Sequence, residues 1–137
     1  MISKQSKTLF LILVVIQAFH SAEEYIGKLW MHLKSAEAFS TLLAADASLG
    51  FILINTAFFL LGLWVYLFAF PKEFPFTKYL IYFWVIIELL NGIAHPIIAV
   101  SRWEYIPGLL TSPALFAVAL ALFLSLNTRV IYRHPSC

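Results

Sequence analysis

Apolar positions fall in four long runs, at about residues 8–27, 48–70, 78–101 and 108–128, separated by short polar stretches. Each is near the 20 or so residues that an α-helix, rising about 1.5 Å per residue, needs to cross a hydrocarbon layer. The pattern predicts an all-α, four-helix transmembrane bundle with short loops, formed as one domain over residues 1–137. The second run is the most uniform: Asn55 is its one strongly polar residue, and it stops at Pro71, Lys72 and Glu73, with Pro75 following. The third carries Glu88, Asn91, His95 and Pro96, and the fourth opens behind Pro107-Gly108 and stops at Asn127, Thr128 and Arg129. In the first, the apolar stretch is only 9–19, with Gln17 its one polar residue, and Lys4 and Lys7 precede it, which is also the pattern of a signal peptide. Cleavage after Ala22 or Ala18 would set His20 or Ile16 where a small residue is preferred, so a retained helix is the expectation.

The loop over residues 31–47 mixes Lys34, Glu37 and Asp46 with Phe39, Leu42 and Leu43, a pattern that suits a short helix lying at a membrane interface. Basic residues set the orientation. With the amino terminus inside, cytoplasmic segments hold Lys4, Lys7, Lys72, Lys78, Arg129 and Arg133, and outer ones hold Lys28, Lys34 and Arg102. This bias predicts both termini in the cytoplasm. Trp30, Trp103 and Tyr105 then stand where an outer aromatic belt would lie.

Composition agrees with a bilayer as solvent. Of 137 residues, 62% are hydrophobic and 12% charged, against about 45–50% and about 25% in soluble domains. The net charge of +2 comes from scattered loop residues with no basic stripe, so membrane lipids are the expected partners and nucleic acid is not. Cys137 is the single cysteine, which excludes an internal disulfide. His32, His134, Glu37 and Asp46 read as solvated loop residues.

Ionisable groups inside a spanning helix are costly, about 2.5–3.5 kcal/mol for Asp on insertion scales, and each needs a partner or a job. His20, Glu23 and Glu24 stand at i, i+3 and i+4 on one flank of the first helix. Glu88, Asn91 and His95 share a face of the third. Counted from the cytoplasmic ends, Glu88 lies at about 15 Å, His20, Asn91 and Asn55 at about 20–22 Å, and Glu23, Glu24 and His95 at about 24–26 Å. All seven fall between the midplane and the outer boundary, which predicts one polar cluster in the outer half. Pro96 cannot bond back to the Gly92 carbonyl and frees that oxygen near His95.

Two imidazoles and three carboxylates form a hard-to-borderline ligand set that suits Zn, Fe or Mn, with no thiolate to favour softer ions. The expectation is a metal held by His20, Glu23, Glu88 and His95, with Glu24 and Glu88 as acid or base and Asn55 and Asn91 in support. A membrane-embedded metal-dependent enzyme acting on a lipidic or small apolar substrate is one reading. Metal-free acid–base chemistry is a second, with a buried Glu88 that keeps its proton as donor and His20 as shuttle. A small transporter or a proton or cation pathway is a third, and purely structural polar groups a fourth. Two local alternatives accompany these: Glu24 and Lys28, at i and i+4, are spaced for a surface ion pair, and Asn55 for interhelical hydrogen bonding.

His20-Ser21-Ala22-Glu23-Glu24, followed by Asn91-Gly92-Ile93-Ala94-His95 and then Pro107-Gly108 and Thr111, resembles the HXXEE family of small membrane proteins over nearly the whole chain. The resemblance implies that His20, Glu23, Glu24, Asn91 and His95 belong to one shared site, and it implies no activity, the family being one of unassigned function. The residue types, though not their spacing, are also similar to those of the emopamil-binding protein family of sterol isomerases.

Overall fold

The computed structural model describes residues 2–72 and 74–131, with side chains through residue 127. Glu73, Arg133, His134 and Cys137, and the side chain of Arg129, lie outside the described residues. Among the described residues the chain is helix and turn throughout, with no strand. Helix α1, Lys4–Ile26, starts where the Ser3 side chain accepts from the Ser6 N–H. Two short helices follow, α2, Leu29–His32, and α3, Lys34–Ser40, so the 31–47 loop does contain a short helix. Phe39, Leu42 and Leu43 are exposed on and beside it.

Helix α4, Ala47–Trp64, is capped by Asp46, whose carboxylate accepts from the Leu49 N–H at 2.9 Å. It continues through a wide π turn, Val65–Ala69, into the short α5, Phe70–Lys72. Pro71 supplies no N–H to the preceding turn, and widened turns of this kind are one way a helix absorbs such a break. Helix α6, Thr77–Arg102, runs unbroken through Pro96 and ends where Trp103 takes a left-handed conformation. Helix α7 is Ser112–Ile131. The sequence places the start of this last helix at residue 108, and the structure starts it at Ser112. The reason is local: Gly108 has φ +97°, outside helical space, and the Glu23 carboxylate gathers the N–H groups of the preceding turn, as described below.

By length and composition three helical stretches are able to cross a membrane: Lys4–Ile26, Ala47–Lys72 and Thr77–Arg102. The described apolar part of α7, Ser112–Asn127, is shorter. α1 packs on α7 and α4, while α6 packs on α7 and on the π turn after α4. α1 and α6 therefore face each other diagonally across the centre. Phe10, Leu13 and Val14 of α1 meet Trp84 and Val85 of α6 and Leu115 and Leu122 of α7 in a fully buried apolar core. Phe58 of α4 stacks on Trp84, with centroids 4.0 Å apart and planes 6° from parallel. This core fills the half of the bundle nearer the start of α1. A smaller cluster, Leu29, Phe51, Ala99 and Ile106, closes the other end. Outward faces stay apolar, with Phe19, Leu60, Ile86, Leu90, Ile97 and Leu110 more than half exposed, an arrangement that water disfavours and that is compatible with a lipid surrounding.

Candidate functional site

Between these two apolar layers lies the polar cluster. His20 and Glu24 are one turn apart on α1, and His95 projects from α6 across the diagonal. Glu24 Oε1 stands 3.3 Å from His20 Nε2 and 3.2 Å from His95 Nε2. The two rings meet edge to face, with centroids 4.8 Å apart and planes at 86°. All three side chains are buried, His20 completely. Gly108 roofs the site, because a Cβ added there would come within 2.6 Å of His95 Cε1 and 2.8 Å of His20 Cε1. At φ +97° it is also a position that side chains resist, so both backbone and space select glycine.

Glu23, the neighbouring residue, points elsewhere. Its Oε1 accepts from the Tyr105 hydroxyl at 2.6 Å and from the Gly108 and Leu110 N–H groups at 3.0 Å each. Its Oε2 accepts from the Thr111 N–H at 3.0 Å and the Thr111 hydroxyl at 2.7 Å. One carboxylate of α1 thus ties down the whole turn between α6 and α7. Partial burial and the adjacent Glu23 carboxylate push the Tyr105 phenol up to about 12.

Glu88, completely buried, sits on the same face of α6 as His95, about two turns nearer the apolar core. Asn91 hydrogen-bonds its carboxyl group, and the Gln17 amide stands 2.7 Å from its Oε2. Hydrogen-bond direction bears on the state of this carboxyl. Asn55 donates to the Phe51 carbonyl at 3.0 Å, which leaves Oδ1 to accept the single Ser21 hydroxyl hydrogen at 2.7 Å. Gln17 then donates its N–H to Ser21 Oγ at 3.0 Å, and its amide oxygen faces Glu88. Every member is satisfied when Glu88 keeps its proton and donates it to Gln17. A charged Glu88 would instead need the Gln17 amide reversed, and Ser21 would have one hydrogen for two acceptors.

The structure therefore brings His20, Glu24 and His95 together, and places Glu88, Asn91 and Asn55 on a connected polar layer beneath them. It differs from the sequence expectation at two ligand positions. Glu23 is saturated by five donors on the α6–α7 turn, and Glu88 is engaged by Gln17 and Asn91, while Glu24 takes the place between the imidazoles. Because Glu24 turns inward, the Glu24–Lys28 surface pair that the spacing allows loses its carboxylate. Gln17, Ser21, Tyr105 and Thr111 carry no site role in the sequence reading, which has Tyr105 in an aromatic belt and Ser21 and Thr111 only within the family resemblance. Gln17 and Ser21 were readable as the turn before and the residue after His20 on the same flank; Tyr105 and Thr111 are single polar groups in a loop, with no periodicity to mark them.

The trio fits a metal ion on two observations. His20 Nε2 is buried and makes no well-aligned hydrogen bond, the Glu24 carboxylate oxygen at 3.3 Å being the acidic group it faces, an arrangement that suits a ligand atom. In a tetrahedral zinc site with bonds of about 2.0–2.1 Å, neighbouring ligand atoms lie about 3.3 Å apart, and two edges of this triangle are 3.2 and 3.3 Å. The three ligand atoms lie within 4.8 Å of one another. His95 Nδ1 is also buried without a partner.

The fold and site define a helical protein with several candidate membrane spans and a buried His/Glu/His cluster. A family model described as a protein of unknown function with an HXXEE motif matches residues 11–123, and the chain belongs to that family. Neither the curated proteins nor the solved structures contain a match.

Proposed function

We propose that this chain is an integral membrane enzyme of four transmembrane helices, α7 being the fourth, with both termini cytoplasmic and its site in the outer half of the bilayer. His20, Glu24 and His95 hold a divalent ion of the zinc, iron or manganese class, and the substrate is lipidic or a small apolar molecule. The observation that carries this is the Glu24 carboxylate shared at ion-ligand spacing by two buried imidazoles from diagonal helices. Three protein ligands leave a tetrahedral ion one open position, which is the arrangement of catalytic rather than structural sites. There such an ion supplies Lewis acidity to a carbonyl or lowers the pKa of a water. Glu88 holds a proton on the Gln17–Ser21–Asn55 chain, ready for donation in the same polar layer. The dry core around Phe10, Leu13 and Trp84 supports chemistry entered from one side over a conduit across the membrane.

The experiment is elemental analysis of the purified protein in lipid nanodiscs, wild type beside His20→Ala and His95→Ala. The expected result is about one Zn, Fe or Mn per wild-type chain, lost in both variants. No stoichiometric metal in the wild type, before and after incubation with each ion, overturns the metal reading. The Glu88 chain favours a second reading, acid–base chemistry without a metal, and that outcome would leave it standing.

A further inference from the structure

The hydroxyl of Thr111 has two close neighbours that differ in what they permit, and a third, the Gly108 carbonyl at 3.4 Å, that like the first only accepts. Glu23 Oε2, 2.7 Å away, is a carboxylate oxygen and only accepts. His20 Nδ1, also 2.7 Å away, donates or accepts according to its tautomer. A threonine has one hydroxyl hydrogen. The Glu23 carboxylate, gathered by N–H groups of Gly108, Leu110 and Thr111 and by the Tyr105 hydroxyl, is an anion in a ring of donors and takes that hydrogen. Thr111 Oγ1 is left to accept, so His20 Nδ1 must carry a hydrogen and donate it.

We infer that Thr111, held by Glu23, is a positioning residue that fixes His20 as the Nδ1–H tautomer and thereby aims a bare Nε2 at Glu24 and His95. This deepens the metal reading and rests on it. Metal-bound histidines usually donate their second N–H to a carboxylate, carbonyl or water, which sets tautomer and ring angle and raises ligand basicity. Here a hydroxyl relays the carboxylate's influence. The last two positions of the first motif then divide their work between neighbouring residues: Glu24 completes the ligand triangle, and Glu23 orients the first histidine through Thr111. The same carboxylate draws the turn inward, so that Gly108 lies against both imidazoles.

The test has two readouts on the full chain in nanodiscs. The first is ¹⁵N NMR of histidine-labelled, metal-free protein, which reports which ring nitrogen of His20 bears hydrogen. Wild type and Thr111→Ser are expected to show Nδ1–H, whereas Thr111→Val, which keeps shape and loses the acceptor, is expected to lose that preference. The second is titration with Zn²⁺ alone. Thr111→Val is expected to bind about 10–100-fold more weakly than wild type, the usual cost of removing a partner behind a metal-bound histidine, and Thr111→Ser to stay close to wild type. Hydrogen on Nε2 alone in the wild type overturns the inference without recourse to any variant. So does a Thr111→Val protein with unchanged tautomer and unchanged affinity. A wild type that shows the Thr111-dependent tautomer yet binds no Zn²⁺ removes the metal reading and leaves the positioning role intact.

Discussion

Glu23 and Glu24 are chemically identical neighbours that end in different places because consecutive helical residues are about 100° apart around the axis. The first faces the turn between α6 and α7, and the second faces the centre of the bundle. Spacing alone puts both within reach of His20, so the sequence brings out the trio of His20, Glu23 and Glu24 without saying which carboxylate joins the imidazoles. That choice depends on the donors of residues 105–111, and backbone N–H groups leave no trace in sequence. His95, Glu88 and Asn91 were legible for a different reason: a polar group on an otherwise apolar helix costs too much to be incidental. At the same scale Tyr105 gives a pH prediction. Its phenol is held up to about 12, above the ordinary value near 10, so its contribution to stability is complete below pH about 10 and is lost as pH rises through about 12. Alkaline titration of thermal stability should show this loss in the wild type, and Tyr105→Phe should flatten it. A wild type and Tyr105→Phe that fall in parallel would detach Tyr105 from Glu23.

Among the elements, the first three long apolar helices were readable almost to their ends. The 8–27, 48–70 and 78–101 stretches appear as Lys4–Ile26, Ala47–Lys72 and Thr77–Arg102, since length, hydropathy and terminal polar residues act locally. The fourth begins later than its apolar pattern because a tertiary contact, Glu23 on the 108–111 turn, takes N–H groups out of helical register. The π turn before Pro71 and the unbroken passage of α6 through Pro96 also lay beyond local pattern, as both depend on what neighbours do with the freed carbonyls. Helix spacing is set by small residues. At Gly92 a Cβ would stand 2.7 Å from Phe116 Cβ and 2.9 Å from its backbone nitrogen, so α6 and α7 approach too closely for a side chain there. Gly92→Ala should cost about 1–3 kcal/mol through overpacking, and it should push α7, with Thr111 at its start, away from His20. Thermal unfolding measures the first effect; an unchanged midpoint would mean that α7 yields without strain.

For the whole molecule, the design is a layered one: an apolar plug at one end, a small apolar cap at the other, and between them polar groups from α1, α4, α6 and the turn that leads into α7. Gln17 and His20 come from α1, Asn55 from α4, Glu88 and His95 from α6, and Thr111 leads into α7. The sequence conveyed this layering through depth, because antiparallel helices place residues at one level only when their counts from opposite ends agree. It did not convey which helices are diagonal, which follows from packing. The central claim is that α1 and α6 share one metal ion through His20, Glu24 and His95. X-ray absorption at the metal edge of the loaded protein tests it most directly. The account predicts two imidazole ligands with the remaining shell made of oxygen and no sulfur; a shell with one imidazole or none would contradict it.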